Sequence, residues 1–305
     1  MNKCYPYKDE LLSSLIFRIS RANYTSVSNI TNYIFKTKGL YLKDIDLYNF
    51  SKDELLSINK LLNIKNIRKY QLLKYIGYIE ENFNFNGRKR WITHFHNKKN
   101  DLKFYGIRFC PHCIKESPYL RQYWRLLIVN VCQKHNCFLL NSCPNCNKNI
   151  KYPNSHYEQE IFNCYYCGFD LRTSTTETIK KESIHLKVQN ILLNILNYGY
   201  YKLNNRYYYS IGLFYLLRLL IKNVMRVNKK TEYYIDNLKP KELSYFISFS
   251  LILLENFPHR LNKYYKKNKL LNLHTILDKY RNKKLNIPNW YLSSIYYNTI
   301  STRWL

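Results

Sequence analysis

Four short pairs of sulfur and imidazole donors lie between Cys110 and Cys167: Cys110-Pro-His-Cys113, Cys132-Gln-Lys-His135, Cys143-Pro-Asn-Cys146 and Cys164-Tyr-Tyr-Cys167. Two intervening residues let both members of a pair face one Zn²⁺ from a tight knuckle, and two knuckles complete a tetrahedron. Eighteen residues separate Cys113 from Cys132 and 17 separate Cys146 from Cys164, a span over which a ribbon brings its second knuckle back to its first. The expectation is two Zn²⁺ ions. One is held by Cys110, Cys113, Cys132 and His135, and the other by Cys143, Cys146, Cys164 and Cys167. Spacing leaves an interleaved pairing open, with the first knuckle joined to the third. It also leaves Cys137 as a substitute for His135, and His112 as a rival inside the first knuckle; their simpler readings are a buried thiol and a loop residue.

Four protein donors leave a metal no open position at which water is activated, so both ions read as structural and couple folding to metal. A disulfide framework would suit a secreted chain, whereas Met1-Asn-Lys-Cys-Tyr-Pro opens without a signal-peptide apolar run. No clustered carboxylates suit two-metal hydrolysis and no nucleophile motif appears, so an enzyme is not expected. The longest apolar candidates, Ile211 to Ile221, interrupted by Arg218, and Leu243 to Leu254, fall short of the ~18 residues of a membrane span. A protein of a prokaryotic cytoplasm, associated with the nucleoid and not with a membrane, is the expected setting.

Positioning these donors falls to helices. Only 7 glycines and 8 prolines interrupt 305 residues, which favours a mainly α protein with brief joints. We expect an N-terminal helix-turn-helix-like helical domain over 1–104. A central tandem zinc-ribbon module with short β elements follows over 105–172, and a C-terminal helical domain over 173–305. Leu12, Leu15, Ile16, Ile19 and Ala22 share one face of a helix over 9–23, opened by Asp9 and Glu10 and closed by Arg18 and Arg21. A second helix is expected over 27–35, and Ser51-Lys-Asp-Glu54 is a capping box that starts a third with Leu55, Leu56, Ile58, Leu61 and Leu62 inward. A fourth is expected over 67–76, stopped by Gly77, and Asn86-Gly87 marks a hairpin turn. Beyond the metal module, helices are expected over 182–198 with Leu186, Ile191, Leu192, Ile195 and Leu196 as its apolar positions, from a Ser210 cap to about Val224, and from Pro240 or Lys241 to Asn256.

The formal charge is +29, from 49 Lys+Arg against 20 Asp+Glu. Residues 1–109 carry net +11 and 171–305 net +16, against +2 for 110–170. Such an excess on both flanks points to an anionic polymer, because neutralising phosphates releases counterions. The cations singled out for nucleic-acid contact are Arg68, Lys69 and Lys74 on the fourth helix, and Arg88, Lys89 and Arg90 beside Trp91. His94 and His96 read as satisfied histidines.

Together these residues resemble the TniQ family of transposon target-selection proteins, which includes the TnsD type. Tyr5-Pro6-Tyr-Lys-Asp-Glu10-Leu-Leu-Ser-Ser14-Leu-Ile-Phe-Arg18-Ile-Ser-Arg-Ala22 is similar to that family's opening. Arg108-Phe-Cys110-Pro-x-Cys113, Trp124, Val131-Cys132-x-x-His135-x-x-x-Leu139, Cys143-Pro-x-Cys146 and Cys164-x-x-Cys167-Gly168-x-x-Leu171 follow its order. The resemblance implies an N-terminal helix-turn-helix, two zinc sites and a non-enzymatic adaptor. Such an adaptor binds DNA or docks, as a possible homodimer, onto an RNA-guided CRISPR complex, and recruits the transposon AAA+ ATPase (TnsC/TniB-like) that calls the transposase. The alternatives are a zinc-ribbon or helix-turn-helix transcriptional regulator, and an adaptor for an RNA–protein complex outside transposition.

Overall fold

The computed structural model describes residues 1–36, 40, 43–79, 89–94, 106–151, 159–203, 206–228, 234–257 and 259–268. Among these, the chain is mainly helical, with two short antiparallel strand pairs.

Helix α1 covers Leu12–Ala22 and buries Leu12, Leu15, Ile16 and Ile19. It starts later than the expected 9–23, because tertiary partners take the residues before it. Leu11 N–H donates to the Leu120 carbonyl and Glu10 forms an isolated bridge with Arg121. Asp9 and Glu10 therefore do not open the helix. Glu10 is buried, where its carboxylate accepts from Arg18 Nη1 at 2.8 Å, Ser14 Oγ at 2.8 Å and the Tyr7 N–H at 3.1 Å. Burial pushes its pKa up, and Arg18 opposes that shift. The cap of α1 comes from far along the chain: Asp46 accepts from Ser13 N at 2.8 Å and from Ser13 Oγ at 2.8 Å.

Helix α2, Val27–Phe35, is capped by Ser26, and α3, Lys52–Leu62, has the Ser51–Glu54 capping box in both directions. Ile58 and Leu62 of α3 are buried, but Leu56 is 68% exposed, so it does not join the inward face. The expected helix over 67–76 is broken in two. A 3₁₀ turn occupies Ile67–Tyr70, and α4 runs Leu73–Ile79 with Gly77 inside it. The break is tertiary. Gln71 Nε2 donates to the carbonyls of Ile45 and Tyr48, each at 2.8 Å, and Leu72 N–H donates to that of Asp46. The Asn86-Gly87 turn, Arg88 and His96 lie outside the described residues.

Helix α5, Pro111–Glu116, opens the donor-rich section, which continues through a 3₁₀ turn at Gln122–Arg125 and the paired strands β1, Val131–Cys132, and β2, Cys137–Phe138. Next come α6, Ile184–Tyr198; the hairpin β3, Tyr200–Leu203, and β4, Arg206–Tyr209; α7, Ser210–Val227; α8, Pro240–Leu254; and α9, His259–Lys267. Ser210 is the first residue of α7 rather than its cap, and Ile191 on α6 is 50% exposed rather than packed. One apolar core draws on every stretch, from Leu11 and Ile16 through Trp91, Phe109, Trp124 and Leu126 to Phe214, Leu217, Ile247 and Leu261.

Candidate metal centres

Each knuckle is a local solution to one problem: two donors two residues apart must point the same way while the chain reverses. In three of the four, the residue after the second donor takes a left-handed conformation, at Asn136 (φ 48°), Asn147 (φ 57°) and Gly168 (φ 70°). Asn and Gly are the residues that tolerate this region. Around the last two, Ser142 bridges Asn149 and Asn163 bridges Asp170, and the N–H groups of Asn147 and Gly168 donate back to the carbonyls of Cys143 and Cys164. The first knuckle differs. Cys110 stands at the N-cap of α5 with Pro111 at its first position, so one helical turn supplies the spacing to Cys113.

These turns bring the donors together consecutively. Ligand atoms of Cys110, Cys113, Cys132 and His135 lie within 4.8 Å of one another, as do those of Cys143, Cys146, Cys164 and Cys167. In the first centre Cys113 Sγ is 3.5 Å from Cys132 Sγ, and His135 Nδ1 is 3.5, 3.3 and 3.5 Å from the sulfurs of Cys110, Cys113 and Cys132. In the second, Cys143–Cys167 is 3.7 Å and Cys146–Cys164 is 3.6 Å. A tetrahedral ion bonded to sulfur at about 2.3 Å sets its donors about 3.8 Å apart. The observed edges fit a metal ion, and exceed the ~2 Å of a disulfide.

Electrostatics point the same way. Cys113 is pushed far up by its contacts with Cys110 and Cys132 and then by burial, while contacts with Cys110 first, then Cys113 and Cys137, hold Cys132 far down. Crowded sulfurs alone accommodate one thiolate, and a dication allows all of them to ionise. In the second centre, burial raises Cys164 to about 12. The exposed Cys167 falls to about 6, chiefly through the Phe169 backbone N–H.

Sequence reasoning passed over Glu116. With Nδ1 facing the sulfurs, His135 turns Nε2 to Glu116 Oε1 at 3.0 Å. A carboxylate there fixes the tautomer that offers Nδ1. Lys134 and His135 hold the Glu116 carboxyl below its usual range. Its position five residues before Arg121 carried no motif, and only the fold reveals the pairing. Cys137 is fully buried with Sγ 3.7 Å from Cys110 Sγ, outside the four-donor group. The His112 ring lies 5.2 Å from that of His135.

Two buried arginines lock the first centre to its surroundings. Arg108 Nη1 donates to the carbonyls of Leu127 and Val129 and to Asn130 Oδ1. Burial lowers its pKa to about 9. Arg125 donates through Nη2 to Asp44 at 2.5 Å and through Nη1 to Asp46 at 2.9 Å, so one guanidinium ties the donor-rich section to the cap of α1.

The model of the TniQ family matches residues 3–139. That span starts before α1 and ends just past the first four-donor centre. The match supports a TniQ-family assignment. No curated protein matches the chain. That similarity supports a transposition-associated protein.

Within the TniQ-family segment the expected nucleic-acid cations divide. Arg68 and Lys69 are exposed on the 3₁₀ turn, with Arg68 Nη2 on the Phe50 carbonyl at 3.3 Å. Lys74 turns inward to Gln122 Oε1 at 2.6 Å, and burial lowers its pKa. Lys89 is buried, correcting its reading as an exposed contact. Arg90 is exposed with its guanidinium 5.3 Å from the Tyr215 ring. Trp91, next to these cations in sequence, is 1% exposed and donates Nε1–H to the Phe214 carbonyl at 3.0 Å. His94 is half-buried with Nε2 at 3.2 Å from the Lys89 carbonyl. Among the described residues no helix is long and apolar enough to cross a membrane.

Proposed function

We propose that the chain is a non-enzymatic target-selection adaptor for transposition. Two structural Zn²⁺ ions, one on Cys110, Cys113, Cys132 and His135 and one on Cys143, Cys146, Cys164 and Cys167, would form its rigid centre. Helical segments over 1–104 and 173–305 would present partner surfaces on either side. Zinc fits the donor chemistry, since sulfur-rich tetrahedra of Cys₃His and Cys₄ type are those it occupies in structural sites. The observation that carries the reading is the TniQ-family match over 3–139, which covers the first centre and the helices that Arg125 ties to it.

In this reading α1 and α2 belong to a helix-turn-helix-like unit, and Arg68 and Lys69 meet phosphate. Contacts to phosphate position the protein without specifying sequence. The adaptor would hand a marked target, either DNA itself or an RNA-guided complex on DNA, to a transposon AAA+ ATPase. Co-purification with the AAA+ ATPase encoded in the same element, with and without nuclease, tests it. A nuclease-resistant complex is expected, and its absence in both conditions would overturn the adaptor role.

A further inference from the structure

The hairpin after α6 carries a surface of another kind. Its register pairs Tyr200 with Tyr209, Tyr201 with Tyr208 and Lys202 with Tyr207. Successive side chains of a strand point to opposite faces. Tyr201 is accordingly 7% exposed against the core, and Tyr208 is half-buried beside it. The other face holds Tyr200, Lys202, Tyr207 and Tyr209, with the three rings 48%, 67% and 82% exposed. Tyr198 at the end of α6 extends the row, 6.2 Å from Tyr200, which lies 5.5 Å from Tyr207. Lys202 Nζ sits 5.9 Å from the Tyr207 ring. Gly199 fixes where the row begins. It adopts φ 79°, and a Cβ there would stand 2.8 Å from the Tyr78 ring.

A contiguous face of exposed rings marks an interaction site, and its charge narrows the occupant. No Asp or Glu occurs between Glu182 and Glu232, while eight Lys and Arg do. Exposed rings beside Lys202, in a stretch of chain that carries cations and no acid, suit a partner with flat π-faces and a negative backbone. We propose that this face binds single-stranded DNA, with unpaired bases stacked on Tyr200, Tyr207 and Tyr209 and a phosphate on Lys202. DNA is taken over RNA because the proposed function acts at a DNA target, and no group on this face is assigned to a 2′-hydroxyl. The site deepens the nucleic-acid part of the proposed function, on a surface separate from Arg68 and Lys69. A displaced strand beside an opened target would be its natural occupant.

Fluorescence anisotropy of labelled dT15 with the full-length, metal-loaded protein tests the assignment. Replacing all three rings, Y200A/Y207A/Y209A, should weaken dT15 binding by about tenfold or more, since each stacked base contributes about 5- to 150-fold. The matching Phe triple should stay within about twofold, because the ring and not the hydroxyl does the stacking. Duplex affinity should be unchanged. Metal content and thermal midpoint report on folding, and Y207A and Y209A singly replace the triple should it lose metal. No dT15 binding by the wild type, equal binding by the Ala variants, or tighter binding of rU15 than of dT15 would each overturn the proposal. So would loss of ATPase co-purification in the Ala triple at unchanged dT15 affinity, which would make the face a protein interface. Failure of the adaptor reading is distinct, because it is read on the wild type with ATPase.

Discussion

At the scale of single residues, the donors differ in what surrounds them, and the difference predicts which substitutions matter. Cys110→Ser or Cys164→Ser should each lower bound zinc by one equivalent per chain, read by elemental analysis. Cys137→Ser should leave two, since its thiol stands outside the four-donor group despite its 3.7 Å approach to Cys110. Glu116→Ala should weaken one centre and spare the other. Loss of a histidine's outer-shell carboxylate costs about 10- to 100-fold in metal affinity, measurable by competition with a chelator. The four donor pairs were readable from sequence because knuckle spacing is local. Asn136 and Asn147 were equally local signals that went unread, although each fills the same left-handed position as Gly168. Glu116 was out of reach, because a carboxylate 19 residues from its histidine leaves no periodic trace.

Elements follow the same division between near and far causes. Ser26, the Ser51–Glu54 box and Pro240 begin helices where expected, since a cap is made by residues within a turn of it. The 67–76 stretch broke because Gln71 answers carbonyls 26 and 23 residues away. The start of α1 moved because Leu11 pairs with Leu120. Arg125 is where these distant causes meet. Arg125→Ala would strip two carboxylates of their counter-charge, one of them fully buried, and should destabilise the protein by about 3–5 kcal/mol in urea unfolding. Asp46 also gives a pH signature. Burial first, with the nearby Asp44 adding to it, raises its pKa to about 6, against the pull of Arg125. An unfolded Asp titrates near 3.9, so the folded state binds the proton more tightly. Its contribution is full below about pH 4 and is lost as pH rises through about 6. The urea midpoint of wild type relative to Asp46→Asn should therefore fall from pH 5 to pH 7, and a flat difference would remove this group from the pH dependence.

For the whole molecule, the outer cations and the shared core make separate predictions. Duplex binding should weaken with salt along a log–log slope of about −0.9 per phosphate neutralised. Replacing Arg68 and Lys69 with Ala should make that slope shallower by about two, whereas Lys74→Ala, whose ammonium is turned to Gln122, should leave it unchanged. The placing of the chain's charge on its flanks was apparent from composition alone. Which cations remain free for phosphate was not, because the burial of Lys89 and the engagement of Lys74 with Gln122 depend on packing. The pairing of Asp46 with Arg125 across 79 positions has a further consequence, for the order of events during synthesis. At about 5–20 residues per second, the nascent helices emerge several seconds before their guanidinium partner, which leaves the ribosome between the first and second zinc knuckles. Until then Asp46 caps α1 without its counter-charge and the strap at Leu120 is missing, and early ribosome-bound fragments should be readily cut by protease. Protection should appear in a single step, once the chain has grown past His135 with zinc at hand.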